Sequence, residues 1–475
     1  MIELGMRKND SLAGAFDWPL FSVFMVLMGF GLATVYSVAY DEEHASLFSF
    51  SQKYGKQVMW ISISLFLGML VFLIDSDIYR KFSVPIYIVT ITLLVVVLFM
   101  PQINGARAWI GLGSMGIQPA EFAKIGTAIL LANYISLMNI KQQTIRSVLL
   151  ALAIILLPMG LILLQPDAGT FVVFTAFLFV LYREGVSFDP LVLLIINLIP
   201  GIRFKKTWVG THFIPILFVI IFLSVITLIV SQDPYKLDLF PGKEFSGYWR
   251  MLIGLFVLSL VAFTLMRIVF PKREKKRAVL IALISFILST MLTASVNIGF
   301  EKLASHQKER IELALGIYDD PTGKVKDGAD YNRNRAMAAV GSGGLTGRGY
   351  GNGFVSSVKT NHVPESETDF IFCPWAEEWG FLGSFLLVGL YLFMMLRIII
   401  IAERQRSSFN RAYAYAVAVI LFYHFAVNIG MNIGFAPIIG IPLPFFSYGG
   451  SSMMSFSIML FILLKLDSQR RDVLN

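Results

Sequence analysis

Apolar runs recur along this chain at short intervals, and their length sets the first expectation. Stretches nearly without charge fall near 18–38, 55–74, 83–100, 120–138, 148–165, 169–183, 211–231, 249–270, 278–298, 370–397, 411–433 and 452–468. A hydrocarbon layer of about 30 Å asks for helices of roughly 20 residues, because each backbone polar group must find its partner inside the segment. The pattern predicts an all-α polytopic membrane protein with about 12 transmembrane helices. Residues 191–200 are apolar but short and close on Pro200 and Gly201, so an interfacial or re-entrant helix is expected there.

The alternation breaks in two places. Residues 299–369 form a polar stretch between two spans, far longer than a connection requires, and such segments are where a membrane protein carries chemistry. The run from Pro437 to Ser452 is apolar yet crowded with Pro and Gly, which membrane depth tolerates only where protein or a cavity satisfies the backbone. A re-entrant segment lining a site is predicted. With no fixed-period repeat and no low-complexity linker, residues 1–475 read as a single transmembrane domain with 299–369 as a large extracytoplasmic loop within it.

Charge supplies an orientation. With the N-terminus in the cytoplasm, Arg80 and Lys81, Lys141 and Arg146, Arg203 with Lys205 and Lys206, residues 272–277, Arg404 with Arg406 and Arg411, and Arg470 with Arg471 all lie inside, as the positive-inside rule requires. The C-terminus is then cytoplasmic too. The same parity gathers 102–118, 165–167, 231–247, the long loop and 434–450 on the outer face, so five segments can converge on one site. Composition agrees: 56% hydrophobic and 15% charged residues exclude a soluble globule. The net charge of +8 is what cytoplasmic loops demand, and a nucleic-acid partner is not expected. Arg7 and Lys8 before the first run imitate a secretory signal, but eleven further spans make it a retained helix.

Cys373 is the only cysteine, which excludes an internal disulfide and a cysteine metal site. His44, His212, His306, His362 and His424 are scattered without ligand spacing, so no histidine metal centre is expected. The chemistry is sought elsewhere. In residues 104–111, Arg107 suits phosphate and Trp109 suits stacking on a sugar or lipid, or ordinary anchoring at the interface. Pro119 suits a helix N-terminus, which puts Glu121 and Lys124 three apart on one face; charges so near hydrocarbon must be paired or face a wet cavity. Asp167 lies at a corner between two spans, as a helix cap or as a ligand. In the long loop Arg310 precedes Asp319, Asp320, Pro321, Thr322 and Gly323, a turn whose adjacent carboxylates suit a general base or, more blandly, a solvated surface. Gly341 to Gly353 imitates a phosphate cradle but lacks the GK[ST] of a P-loop, and a mobile, tightly turning loop is expected instead.

Taken together, the motifs NGARxWI, QPxE with Lys124, QPDxGT, GSGGLxGxG, PExxTDFIF with Glu377 and Glu378, and IPLPFFSYGGSS resemble the SEDS family (shape, elongation, division and sporulation) of peptidoglycan glycosyltransferases, from the first span to the last. The final motif lacks the Lys-Gly step of the division branch, which favours the RodA-like elongation branch. The resemblance implies an inverting polymerase of lipid II at the outer face of the bacterial cytoplasmic membrane. Its partners would be lipid II, undecaprenyl-pyrophosphate-linked glycan and a class B penicillin-binding transpeptidase. No cofactor is certain; a divalent cation for the pyrophosphate is compatible with the chemistry. The family's loop acid sits in a DPxG turn ten residues after an Arg, which matches Asp320, with Asp319 as the near alternative. Arg107, Trp109, Glu121, Lys124, Asp167, Glu365, Asp369 and Ser447 are implied substrate-binding residues. This chain departs from the pattern by five extra residues between Gly323 and Tyr331, by Arg335 and Ala336 in place of Gln-Ser, by Glu367 in place of His, and by about two spans beyond the family's ten, near 190–270. The rival readings are a flippase or transporter of lipid-linked precursors, which needs ionisable residues deep in its spans, and a non-catalytic scaffold for a transpeptidase, in which the loop acids are dispensable.

Overall fold

The computed structural model describes residues 16–40, 48, 50–102, 107–111, 116–196, 208–232, 247–269, 275–302, 308, 329–354, 363 and 365–470. The chain divides into two compact units, residues 1–212 with 331–475, and residues 213–330. The first contains α1 (Trp18–Ala39), α2 (Lys53–Leu73), the short α3 (Ser76–Lys81), α4 (Ser83–Val97), α5 (Pro119–Leu137), α6 (Ile145–Leu164), α7 (Ala168–Phe174), α8 (Phe177–Arg183), α9 (Asp189–Ile196) and α10 (Trp208–Thr211). The second contains α11 (Phe213–Gln232), α12 (Gly247–Val269) and α13 (Lys275–Glu301). The chain then runs through α14 (Ala329–Ser342), α15 (Phe372–Glu403), α16 (Ser408–Asn432) and α17 (Gly450–Ser468). Each of the twelve predicted runs is helical.

Among the described residues α1, α2, α6, α15, α16 and α17 are long and apolar enough to cross a membrane. The protein is a multi-pass membrane protein. The run predicted at 169–183 is two helices, because Thr175 and Ala176 N–H groups bond three residues back, to Val172 and Val173 carbonyls at 3.1 and 3.0 Å, and tighten the join. The stretch expected to lie at the interface is helical from Asp189 to Ile196; its end falls outside the described residues.

Helices α5 and α17 form the interior of the first unit. Helix α5 packs on α4, α6, α16 and α17, and α17 packs most extensively on α2. Close approach between apolar helices in lipid needs small residues at the contact. A Cβ on Gly126 of α5 would meet the Thr90 side chain of α4, its methyl at 3.1 Å.

Helix α15 is interrupted at Gly380, whose φ of 64° and ψ of −159° no helix contains. The interruption leaves carbonyls without partners before it and N–H groups without partners after it. The glycine-rich stretch supplies both. Arg348 and Gly349 N–H groups donate to the Glu377 and Glu378 carbonyls at 3.0 Å, while Phe381 and Leu382 N–H groups donate to the Gly344 and Leu345 carbonyls at 2.9 and 3.1 Å. Gly344, Gly347, Gly349 and Gly351 all have positive φ, as tight turning predicted. The segment is a strap bonded to the broken helix.

The re-entrant segment predicted at 437–452 is without helix up to Gly449, where α17 follows, and the non-helical stretch begins at 434; Ile441, Leu443, Phe445 and Phe446 within it are buried. Side chains from three helices, α2, α15 and α16, satisfy its backbone. The Ile441 carbonyl accepts from Asn428 Nδ2 at 2.7 Å, Pro442 from His424 Nδ1 at 3.1 Å, Pro444 from Tyr391 Oη at 2.5 Å and Ser447 from Gln57 Nε2 at 3.3 Å. This is the condition under which irregular backbone persists at membrane depth. Of the long loop, α14 is seated on this segment: Arg333 donates to the Gly434 carbonyl at 3.0 Å, and Ala336 and Ala339 share a small core with Val363, Phe370 and Cys373.

Candidate functional site

Helix α5 begins at Pro119, where a missing N–H costs nothing. Its first turns carry Glu121 and Lys124, both buried. The Lys124 ammonium donates to Glu121 Oε1 and Oε2 at 2.9 Å each and meets His424 Nε2 at 2.8 Å, 4.7 Å above the Phe456 ring. An ammonium has three hydrogens and no lone pair, so all three are committed and Nε2 is the acceptor. That places the imidazole hydrogen on Nδ1, which donates to the Pro442 carbonyl. His424 therefore joins the buried Glu121–Lys124 pair to the re-entrant segment.

Asp167 caps α7. Its Oδ1 accepts the Thr170 N–H at 3.0 Å, and its Oδ2 accepts the Thr170 hydroxyl at 2.8 Å and Gln118 Nε2 at 3.0 Å. Gln118 precedes Pro119, so the corner and the α5 N-terminus are bonded directly, and the Gln118 N–H reaches Ser451 Oγ of α17 at 3.0 Å. The loss of a side chain at Gly169 lets the start of α7 lie against the 439–441 backbone.

The turn ahead of α15 completes the wall. Glu365 is held at φ 54°, in the left-handed region that non-glycine residues avoid, and its carbonyl accepts the Thr368 and Phe370 N–H groups at 3.0 and 3.2 Å. The Asp369 carbonyl accepts from Asn428 Nδ2 at 2.8 Å. Burial, followed by the neighbouring Glu365 carboxylate and its hydrogen bond and then by Asp167, pushes the Asp369 carboxyl up to about 7. Ser447 Oγ donates to the Thr368 carbonyl at 2.7 Å and accepts the Leu443 N–H at 2.8 Å. Glu367, the departure from the family's His, forms an ion pair with Lys53 at the start of α2.

The structure thus joins Glu121, Lys124, Asp167, Glu365, Asp369 and Ser447, with the Asp369 carboxyl raised by burial and by Glu365. Arg107 and Trp109 lie on an adjoining edge. The exposed Arg107 guanidinium bonds the Leu98 carbonyl past the end of α4 at 3.2 Å, and its N–H bonds the Gln165 carbonyl at 3.3 Å. Trp109 precedes the antiparallel Ile110–Ile117 bridge, with Gly116 beneath its ring. Asp319 and Asp320, the expected catalytic acids, and Arg310 lie outside the described residues. Among the described residues no group of three or more His, Cys, Asp or Glu side chains is arranged to hold a metal ion. His424, Asn428 and Asn432 were not among the expected site residues. Their signal was present: in an apolar helix, polar side chains every fourth residue share one face.

Comparison with known proteins gives one family model, FtsW/RodA/SpoVE, described as cell cycle protein, which matches residues 17–218 and 258–472. The unmatched residues between them fall on most of α11 and the first half of α12, within the region where surplus spans were expected. Similar proteins include the peptidoglycan glycosyltransferase RodA of Treponema pallidum (strain Nichols), 29% identical over 471 residues and covering 96% of this chain and 98% of that protein. The peptidoglycan glycosyltransferase MrdB of Escherichia coli (strain K12) is 27% identical over 418 residues, covering 88% and 86%. In fold, the chain is similar to a chain of a peptidoglycan synthase complex that coordinates polymerization and crosslinking, with a TM-score of 0.62, 24% identity and coverage of 96% and 99%. It is also similar to the rod shape determining protein RodA of Thermus thermophilus, with a TM-score of 0.55, 22% identity and coverage of 96% and 98%.

Proposed function

The chain belongs to the FtsW/RodA/SpoVE family, and from that premise we propose that it is a peptidoglycan glycosyltransferase that polymerises lipid II during cell elongation. The observation that carries the proposal is the convergence of the α5 N-terminus, the 165–170 corner, the 365–369 turn and the re-entrant segment on one hydrogen-bonded site. The arginines lie at the other ends of the helices: Arg397 and Arg404 pair with Asp17, Arg404 and Arg470 with Asp467, and Arg411 with Glu184. By the positive-inside rule that end is cytoplasmic, and the site opens on the outer face of the cytoplasmic membrane.

In the proposed reaction Asp320 takes the proton from the 4-hydroxyl of the acceptor lipid II as that oxygen attacks the anomeric carbon of the undecaprenyl-pyrophosphate-linked donor. The C–O bond to pyrophosphate breaks, the electron pair leaves with undecaprenyl pyrophosphate, and one displacement inverts an α-linked sugar to a β-1,4 link. Pyrophosphate is a competent leaving group, so the remaining work is orientation and charge stabilisation. Arg107 is exposed and suited to phosphate, and Trp109 to a sugar face. Lys124 has no hydrogen to spare, so its part is to hold the α5 N-terminus against the re-entrant segment through Glu121 and His424. Glu365 and Asp369 orient sugar hydroxyls, Asp167 holds the 165–170 corner to the α5 N-terminus through Gln118, and Ser447 fixes the turn that carries Asp369. A class B penicillin-binding transpeptidase is the proposed partner.

The test is incubation of the purified protein with labelled lipid II, with and without its cognate transpeptidase, with Asp320→Asn run in parallel. Glycan polymer from the parent and none from the folded variant is expected. Lipid II moving across liposomes without polymer would refute the enzyme and leave a flippase. Undiminished polymer from Asp320→Asn would move the base to Asp319, or to Asp330 in the first turn of α14.

A further inference from the structure

At the arginine-rich end of the first unit, α1, α2 and α17 line an open cavity of about 490 Å³, bounded by Phe16, Trp18, Phe21, Met25, Leu65, Met69, Phe72 and Phe461. Its volume lies in the range of about 300–1,000 Å³ that small-molecule sites occupy. The depth comes from a glycine: Gly68 has no side chain to hold off the Phe461 ring, which sinks between the helices. Aromatic rings set edge to face build one wall, Phe16 to Trp18 at 4.9 Å, Phe16 to Phe72 at 5.5 Å and Phe21 to Phe461 at 6.1 Å. Met25 and Met69, whose flexible thioethers adapt to different shapes, are exposed at its mouth. Every lining side chain is apolar or aromatic.

The polar element stands at the rim. Lys465, one turn beyond Phe461 on the same face of α17, is only 8% exposed, and its ammonium sits 5.5 Å from the centre of the Phe72 ring. Among the described residues no carboxylate is within ion-pair reach of it. Asp17 is already committed to Arg397 and Arg404, and Asp467 to Arg404 and Arg470. An aromatic face compensates a buried cation only in part.

From an apolar cavity with an unpaired ammonium at its edge, we infer a binding site for an anionic phospholipid, its acyl chain in the aromatic cavity and its phosphate on Lys465. Neither half suffices alone. A neutral lipid leaves Lys465 uncompensated, and a free phosphate leaves the cavity empty. The site lies at the opposite end of the helices from the lipid II chemistry proposed above and does not depend on it.

The test is a titration of the full-length protein in a neutral detergent with dioleoylphosphatidylglycerol and, separately, dioleoylphosphatidylcholine, read by native mass spectrometry. Phosphatidylglycerol should bind about fivefold more tightly, which is ~1 kcal/mol and the size of one lysine at an anionic membrane surface. Lys465→Met keeps the apolar stem and should remove that preference. Met69→Trp fills the cavity with Lys465 intact and should weaken both lipids. Equal binding of the two lipids by the parent, or a preference that survives in Lys465→Met, would overturn the assignment. Stronger binding of undecaprenyl phosphate than of phosphatidylglycerol would overturn it in favour of a polyprenyl ligand.

Discussion

Replacing His424 by Phe tests the inner frame of the site with little change of shape. The phenyl ring can keep the edge contact with Phe456, which the imidazole makes at 4.8 Å and 86°. It cannot accept from Lys124 or donate to the Pro442 carbonyl, so bonds of 2.8 and 3.1 Å are lost and two buried groups are left without partners. Each such group costs about 1–3 kcal/mol, and more when charged, so the variant should lose about 2–6 kcal/mol. Glutamine is the control. Its carbonyl can accept from Lys124 and its amide can donate to Pro442, so His424→Gln should lose only the ring contact, ~0.5–1.5 kcal/mol. Reversible unfolding of the purified protein by SDS titration in mixed micelles measures both variants, and lipid II polymerisation should fall in the same order. If His424→Phe unfolds like the parent, or His424→Gln is as damaged as His424→Phe, the frame is not held by these two bonds.

Asp369 should make stability depend on pH: its carboxyl is raised to about 7 in the folded protein from an ordinary 3.8, so the contribution is complete below about 4 and is lost as pH rises through 7. Thermal unfolding from pH 4 to 8 should show that decline in the parent and a flatter profile in Asp369→Asn. Glu365→Gln removes a neighbouring charge that raises Asp369, so the Asp369 carboxyl, followed by infrared difference spectroscopy, should titrate at lower pH than in the parent. Gly347→Ala places a Cβ 2.7 Å from the Gly380 nitrogen at a φ of 82°, and limited proteolysis should find the 343–354 strap released. Asp17→Asn leaves Arg397 and Arg404 with a neutral partner for a carboxylate that is 4% exposed, and SDS-titration unfolding should register a loss of about 3 kcal/mol.

The spans were legible because lipid imposes one rule on every residue of a run, and a run is local. Pro and Gly at 437–450 announced irregular backbone for the same reason: it survives only when something satisfies it. What satisfies it was not local. His424 meets Lys124 across 300 positions of sequence, and Tyr391 meets Pro444 across 53. The His424, Asn428 and Asn432 stripe could be read as a polar face, but not as a polar face turned toward one carbonyl each of Pro442, Ile441 and Asp369. Glycine at 380 had no visible role, since a glycine within an apolar run costs little to carry; only the strap bonded across it gives it one. That α11, α12 and α13 form a compact unit of their own was legible only as surplus length.

The arrangement of hydrogen bonds also divides labour within the site. Lys124, Glu121, Ser447 and Asp167 have their polar atoms engaged by the protein, so a substrate reaching them must displace an existing bond and recover little net energy. Arg107 is different: its guanidinium is exposed and bonds the Leu98 carbonyl, which water could also satisfy. Five donors in a planar fork match phosphate oxygens with little reorganisation. Recognition of the pyrophosphate therefore belongs to the exposed edge. The buried charges act one step back, by fixing where the α5 N-terminus, the corner and the Asp369 turn stand relative to one another.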